Sequence, residues 1–268
     1  MRLPDILRFA RDAATGYPMR TALSVLAMSI GVAAVVVLTA LGDGARRYVV
    51  GQFSSLGTNL VIVLPGRSGT GGFNPANAIT TTPRDLTVDD AAALLRAPGV
   101  RRAAPLAVGT SEISVAGRLR EVMVAGTTAS YFPIRSFELG QGSALPDEDW
   151  GRGSSVAVIG AKIREEMFGN APAIGQLVRV GDRRLRVVGV LKPVGQGLGM
   201  NTDELVIVPV ALAQALFNSN TLFRILVEAK SREAIPEARE QALDILKQRH
   251  RGEEDVTVIT QDAVLATF

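Results

Sequence analysis

The side chains that most often carry catalysis are scarce in this 268-residue chain. Cysteine is absent, which excludes thiolate nucleophiles, disulfides and Cys-ligated zinc. The one histidine, His250, stands between Arg249 and Arg251 at the end of a predicted helix. A Ser-His-acid triad needs such a ring beside a hydroxyl and a carboxylate, and a metal centre ordinarily needs more than one imidazole. No triad motif includes His250 and the chain has no second imidazole, so it reads as a solvated surface residue. The adjacent acids Glu165-Glu166 and Glu253-Glu254 read as solvated faces. No local signature points to a Ser–Lys nucleophile.

The stretch "KPVGQGLGMNTDE", residues 192–204, spaces Gly195, Gly197 and Gly199 like a phosphate-binding loop. A P-loop continues into Gly-Lys-Ser/Thr and a helix, whereas here "LVIVP" continues as a strand. The three glycines are therefore expected at a flexible hairpin tip able to contact a partner. No catalytic, cofactor-binding or metal-ligating residue emerges, and the chain is expected not to be an enzyme.

The elements that would position any site begin with a membrane segment. Thr21 to Gly42 contains no charge and is rich in Ala, Val and Leu. At about 1.5 Å per residue it spans roughly 33 Å, close to the hydrocarbon thickness of about 30 Å. A cleaved signal peptide has a shorter apolar core and a shorter preceding region. Arg2, Arg8, Arg11 and Arg20 precede the span, and only Arg46 and Arg47 follow it closely. The positive-inside rule then puts the N-terminus in the cytoplasm and the main domain outside it, in the periplasm or extracellular space. Six arginines against three aspartates in residues 1–47 account for the whole net charge of +3. The remainder is neutral, so nothing favours nucleic acid as a partner.

Residues 1–20 place Leu3, Ile6, Leu7, Ala10 and Ala14 on one helical face, as in a cytoplasmic amphipathic segment lying on the headgroups. After the span at 21–42, Ala45, Val49, Phe53 and Leu56 recur at helical spacing. They form one apolar stripe on a stalk helix, 43–57, that must pack on a partner helix.

Beyond the stalk, "NLVIVLPG" reads as a strand and residues 67–82 as a mobile loop. Thr87 and Asp90 make a capping-box start to a helix that Pro98-Gly99 ends. Hairpins turn near Gly117 and at Gly181-Asp182. The last third reads as a strand "LFRILVEAK", a helix with Ile235, Ala238, Ala242 and Ile245 on one face, and a strand "DVTVIT". The fold class is α+β: a transmembrane helix and stalk, then a mixed α/β extracytoplasmic domain. Its two ends, 58–125 and 219–268, are expected to form a porter-like βαβ subdomain around an inserted β-rich subdomain at 126–218.

These pieces resemble the permease subunits of MacB-type ABC transporters. The resemblance rests on "RTALSVLAMSIGVAAVVVLTALGDGARR", "SLGTNLVIVLPG", "VAGTTASYFPIRSFELGQGSALPDED" and "VAVIGAKIREEMFGNAPAIGQLVRVGDRRLRVVGVL". "GMNTDELVIVPVALAQALF" and "VTVITQDAVLATF" complete it, in the family's order and over almost the whole chain. It implies four transmembrane helices with a MacB-like periplasmic core domain between the first and second, and a Sabre-like insertion inside that domain. It implies a dimer of permeases, homo- or heterodimeric, in membrane lipid. A cytoplasmic ABC ATPase subunit would bind ATP and Mg and relay movement outward by mechanotransmission, for efflux or lipoprotein release, often with a periplasmic adaptor protein. No ATPase motif precedes the span, so hydrolysis is expected from a separate subunit. The FtsX-like transmembrane portion is missing, which leaves open a truncated or a degenerate single-span form not expected to transport alone. The competing reading is a single-pass membrane-anchored sensory or binding domain, for which the topology alone would serve.

Overall fold

In the computed structural model, residues 16–54, 59–66, 84–193, 196–197 and 200–260 are described. The chain divides into two compact units, Met1–Gly51 and Gln52–Phe268. Leu3, Ile6, Leu7, Ala10 and Ala14, the 67–82 loop, Leu56, Gly195 and Gly199 all lie outside the described residues.

The N-terminal unit is dominated by helix α1, Pro18–Ser54, which runs unbroken for 37 residues. Its first part, Pro18–Gly44, is long and apolar enough to cross a membrane, and none of it is buried. Valine-rich sequence is a mediocre helix former in water, but in hydrocarbon every backbone group must be satisfied within the segment, and a helix does this. The hydroxyls follow the same rule. Thr39 Oγ1 donates to the carbonyls of Val35 and Val36 at 2.9 and 3.0 Å, so its polar atom turns back onto the helix. At the N-terminal end the Arg20 guanidinium lies 5.6 Å from the centroid of the Tyr17 ring. Such an aromatic–cation pair suits the headgroup level. Ala45, Val49 and Phe53 stand on the continuing helix, but their side chains are outside the described ones.

The second unit is built on one sheet of ten strands among the described residues. The strands are β1 Leu60–Pro65, β2 Val100–Val115, β3 Arg118–Thr127, β4 Leu139–Gly142, β5 Val156–Ile159, β6 Leu177–Val180 and β7 Arg183–Leu191. After a separate two-residue pairing of β8 Gln196–Gly197 with β9 Met200–Asn201 come β10 Leu205–Pro209, β11 Arg224–Ala229 and β12 Val256–Thr260. The helices are α2 Val88–Leu94, α3 Tyr131–Ile134, α4 Ala161–Phe168, α5 Val210–Phe217 and α6 Ile235–Arg249.

The order is β12-β1-β11-β2-β3-β10-β5-β7-β4, with β6 pairing β2 and β7. In the first four strands, β1 is antiparallel to both β11 and β12, and β11 is antiparallel to β2. The units β1-α2-β2 and β11-α6-β12 therefore interleave, each crossing over one strand of the other, as in a split βαβ arrangement. From β3 onward parallel and antiparallel pairs alternate.

Period-two alternation gives the sheet two apolar faces. Val61, Ala103, Val206 and Ile225 belong to a core shared with Leu94 of α2, Ile163 of α4, Ala213 of α5 and Leu246 of α6. Their sequence neighbours Leu60, Ala104, Ile207 and Leu226 belong to the opposite core, with Tyr131, Phe132 and Ile134 of α3. Gly126 lets α5 approach β3, because a Cβ there would sit 2.1 Å from that of Ala213.

The local signals appear where the sequence puts them. Thr87 and Asp90 form a complete capping box. Gly117 and Gly181 take φ of 83° and 58° in the two hairpin turns. On α6 the buried stripe is Ile235, Ala238, Ala242 and Leu246, and Ile245 only packs partly against it. The predicted stripe drifts by one residue because 3.6 residues per turn favours the i+4 position at that point.

Candidate functional site

His250 is a correction to the sequence reading: it is buried, with 2% exposure. Helix α6 ends one residue before it, and β12 begins six residues after, so the connection folds the ring inward between two acids. Nδ1 of His250 lies 2.5 Å from Asp255 Oδ1, and Nε2 lies 3.5 Å from Asp90 Oδ2. Arg249 Nε donates to Asp90 Oδ1 at 2.6 Å. Asp90 also accepts from the Thr87 backbone N–H at 3.0 Å and from its hydroxyl at 2.8 Å. Burial alone would raise the Asp90 carboxyl, but the hydrogen bonds from Arg249 and Thr87 outweigh it and hold the group below its ordinary value.

The arrangement contains a histidine and two carboxylates, yet it lacks the geometry of catalysis. The two acids sit on opposite ring nitrogens, so they do not converge on one ion, and no group of metal-ligating residues forms among the described residues. The Thr87 hydroxyl at its edge is spent on Asp90. The cluster joins the start of α2, the end of α6 and the lead into β12, with Gly66 N–H closing onto the Asp255 carbonyl at 2.8 Å. It is a clasp. Thr87-Asp90 was legible as a cap, but nothing in the sequence brings residue 250 to residue 90.

The glycine-rich stretch has a pinned base. Gln196 pairs with Asn201 and Gly197 with Met200, while Gly195 and Gly199 lie outside the described residues. Below this pairing Glu204 is held at 2.6 Å by Arg120 of β3 and at 2.6 Å by Lys162 of α4, and Asn201 Nδ2 donates to it at 2.9 Å. Arg120 also pairs with Glu166 of α4. The Lys162 hydrogen bond leads in lowering the Glu204 carboxyl. Glu166, expected as a merely solvated face, is thus one arm of a charged brace.

Comparison with known proteins places this geometry. The family model described as the MacB-like periplasmic core domain matches residues 21–245. Among characterised relatives, the macrolide export ATP-binding/permease protein MacB 1/2 of Paracoccus denitrificans is 32% identical over 269 residues, covering 100% of this chain and 39% of its own length. The pyoverdine export ATP-binding/permease protein PvdT of Pseudomonas entomophila is 32% identical, covering 92% of this chain and 36% of its own. The chain thus spans about two fifths of the length of such relatives.

Two solved structures share the fold. The periplasmic region of MacB from Actinobacillus actinomycetemcomitans aligns with a TM-score of 0.66 at 19% identity, over 80% of this chain and 94% of that one. The extracellular domain of the noncanonic ABC-type transporter YknZ from Gram-positive bacteria aligns with a TM-score of 0.61 at 21% identity, over 75% and 100%. The apolar helix together with the matched domain describes a membrane-anchored protein whose folded domain is extracytoplasmic. On its family match across most of its length, the chain belongs to the MacB-like periplasmic core domain family.

Proposed function

We propose that the chain is the N-terminal portion of a permease subunit in a MacB-type ABC transporter, with its N-terminus in the cytoplasm. Its helix passes on movements made at the inner membrane face to the sheet domain outside. The observation that carries this reading is α1 itself, which continues as helix for ten residues past the apolar stretch that ends at Gly44. A helix is a stiff element, and a flexible linker in the same place would dissipate any displacement.

In this reading ATP and Mg bind to a separate cytoplasmic ATPase, and a second permease packs against the stripe Ala45, Val49, Phe53 and Leu56. Residues 58–125 with 219–268 act as the porter-like subdomain, and 126–218 act as the Sabre-like insertion. The hairpin tip at Gly195, Gly197 and Gly199 meets a partner such as a periplasmic adaptor, and the brace around Glu204 supports this by fixing its base. The cargo is an exported small molecule, a reading supported by relatives named for macrolide and for pyoverdine export, or a released lipoprotein.

The test is a Gly-Ser-Gly insertion after Gly44 in the complete permease. ATP hydrolysis should persist while export falls to background. Export at the wild-type rate would overturn the lever mechanism.

A further inference from the structure

At one end of the sheet a face is left open to solvent. Helices α2, α4, α5 and α6 all contribute to the core on one side of the strands. On the other side α3 packs mainly against β11 and β2. Away from α3, strands β3, β2, β6 and β7 lie side by side through the register pairs Leu119–Ser114, Ser114–Arg179 and Arg179–Arg184. Along them the buried residues Ile113, Val122, Val178 and Leu185 alternate with exposed Glu112, Glu121, Arg179 and Arg184.

Charge on this open face is paired like with like. Glu112 of β2 stands directly across from Glu121 of β3, and Arg179 of β6 directly across from Arg184 of β7. Cross-strand neighbours have Cβ atoms about 5 Å apart, a separation at which like charges destabilise a sheet. None of the ion pairs among the described residues includes any of the four. An acidic patch on β2 and β3 thus adjoins a basic patch on β6 and β7, and neither is neutralised. Leu119 and Leu177, 61% and 58% exposed, lie on the same face.

Two patches of opposite sign, side by side on one surface, complement a second copy of that surface. A two-fold axis lying in the plane of contact, midway between the patches, exchanges them, so each acidic pair faces the other copy's basic pair. A partner of a single sign would satisfy one patch and repel the other. The exposed leucines add the apolar contact that solvent-exposed ion pairs lack.

We propose that the outer face of β3, β2, β6 and β7 pairs two copies of this chain, with Glu112 and Glu121 of one set against Arg179 and Arg184 of the other. The surface does not depend on the permease reading, which would stand if this face stayed unpaired. The test uses the whole chain in detergent, with self-association followed by sedimentation equilibrium. Raising sodium chloride from about 50 to about 500 mM should weaken association, because exposed charges are screened.

Glu112→Lys combined with Glu121→Lys, and separately Arg179→Glu combined with Arg184→Glu, should each weaken association about tenfold or more. A 1:1 mixture of the two double variants should restore it, since every reversed patch then meets its opposite. A wild-type chain that stays monomeric gives the face to a different protein and overturns self-pairing. Association unchanged by both reversals, or a mixture no tighter than its parts, overturns it as well. Should a reversal not fold, Glu112→Gln combined with Glu121→Gln decides. It relieves the acidic repulsion within one copy and should still weaken association about threefold; an unchanged association there overturns the pairing equally.

Discussion

The clasp at Asp90, Arg249, His250 and Asp255 and the cluster at Tyr131, Arg135 and Arg224 lie on opposite faces of one sheet. Each has a buried polar centre, His250 with its two acids in one and Tyr131 with Arg135 in the other, yet they differ in how their hydrogen bonds are spent. In the clasp, cation, imidazole and carboxylates alternate, and Asp90 accepts from Arg249 and Thr87. In the other cluster, the Tyr131 hydroxyl and Arg135 Nε have no hydrogen-bond partner among the described residues. A closed network holds elements together and has no capacity left for a ligand. An open one costs stability until something completes it. The difference separates a completed network from an incomplete one better than residue type does, since the histidine is in the first and not the second.

The sharpest way to break this contrast is Asp90→Ala. It removes the aspartate half of the capping box, takes the acceptor from Arg249 and leaves His250 with one acid, so unfolding in urea should show a loss of about 3–5 kcal/mol. A loss below about 1 kcal/mol would make the clasp no better than a surface pair.

The acid limb sharpens the same point. The Asp90 carboxyl is held below its ordinary 3.8, so its contribution is present above that value and lost as the pH falls through the lowered one. Stability of the wild-type domain should therefore decline below about pH 4, and Asp90→Asn should flatten that decline. Equal acid slopes for the two proteins would show that the carboxylate charge is not what the clasp uses.

The smallest expected effect has the opposite sign. Tyr131→Phe deletes an unsatisfied buried hydroxyl, so the ligand-free protein should be unchanged or more stable by up to about 1 kcal/mol. A clear destabilisation would mean that the hydroxyl is already satisfied and that the two clusters are alike.

Much of the architecture is legible locally. The uncharged run from Thr21 to Gly42, the Thr87–Asp90 box and the turns at Gly117 and Gly181 each depend on a few neighbouring residues, and each appears as read. The two polar clusters were not legible. Arg249, His250 and Arg251 look solvated because three polar residues follow one another at a helix end. Burial is decided instead by the chain turning back into β12, which brings Asp255 onto the ring and the capping aspartate of a helix 160 residues away to its other side. Arg135 and Arg224 gave no signal for the same reason, since α3 meets β11 only in the folded sheet.

The sequence by itself determined the apolar helix and the strand and helix segments with their caps and turns, which follow from composition and short-range periodicity; its longer motifs carried the resemblance to the family. Tertiary structure decided the interleaved strand order and which charged residues lie inside. Those depend on contacts between segments far apart in the chain, and a residue's own neighbours carry no record of what will be packed against it.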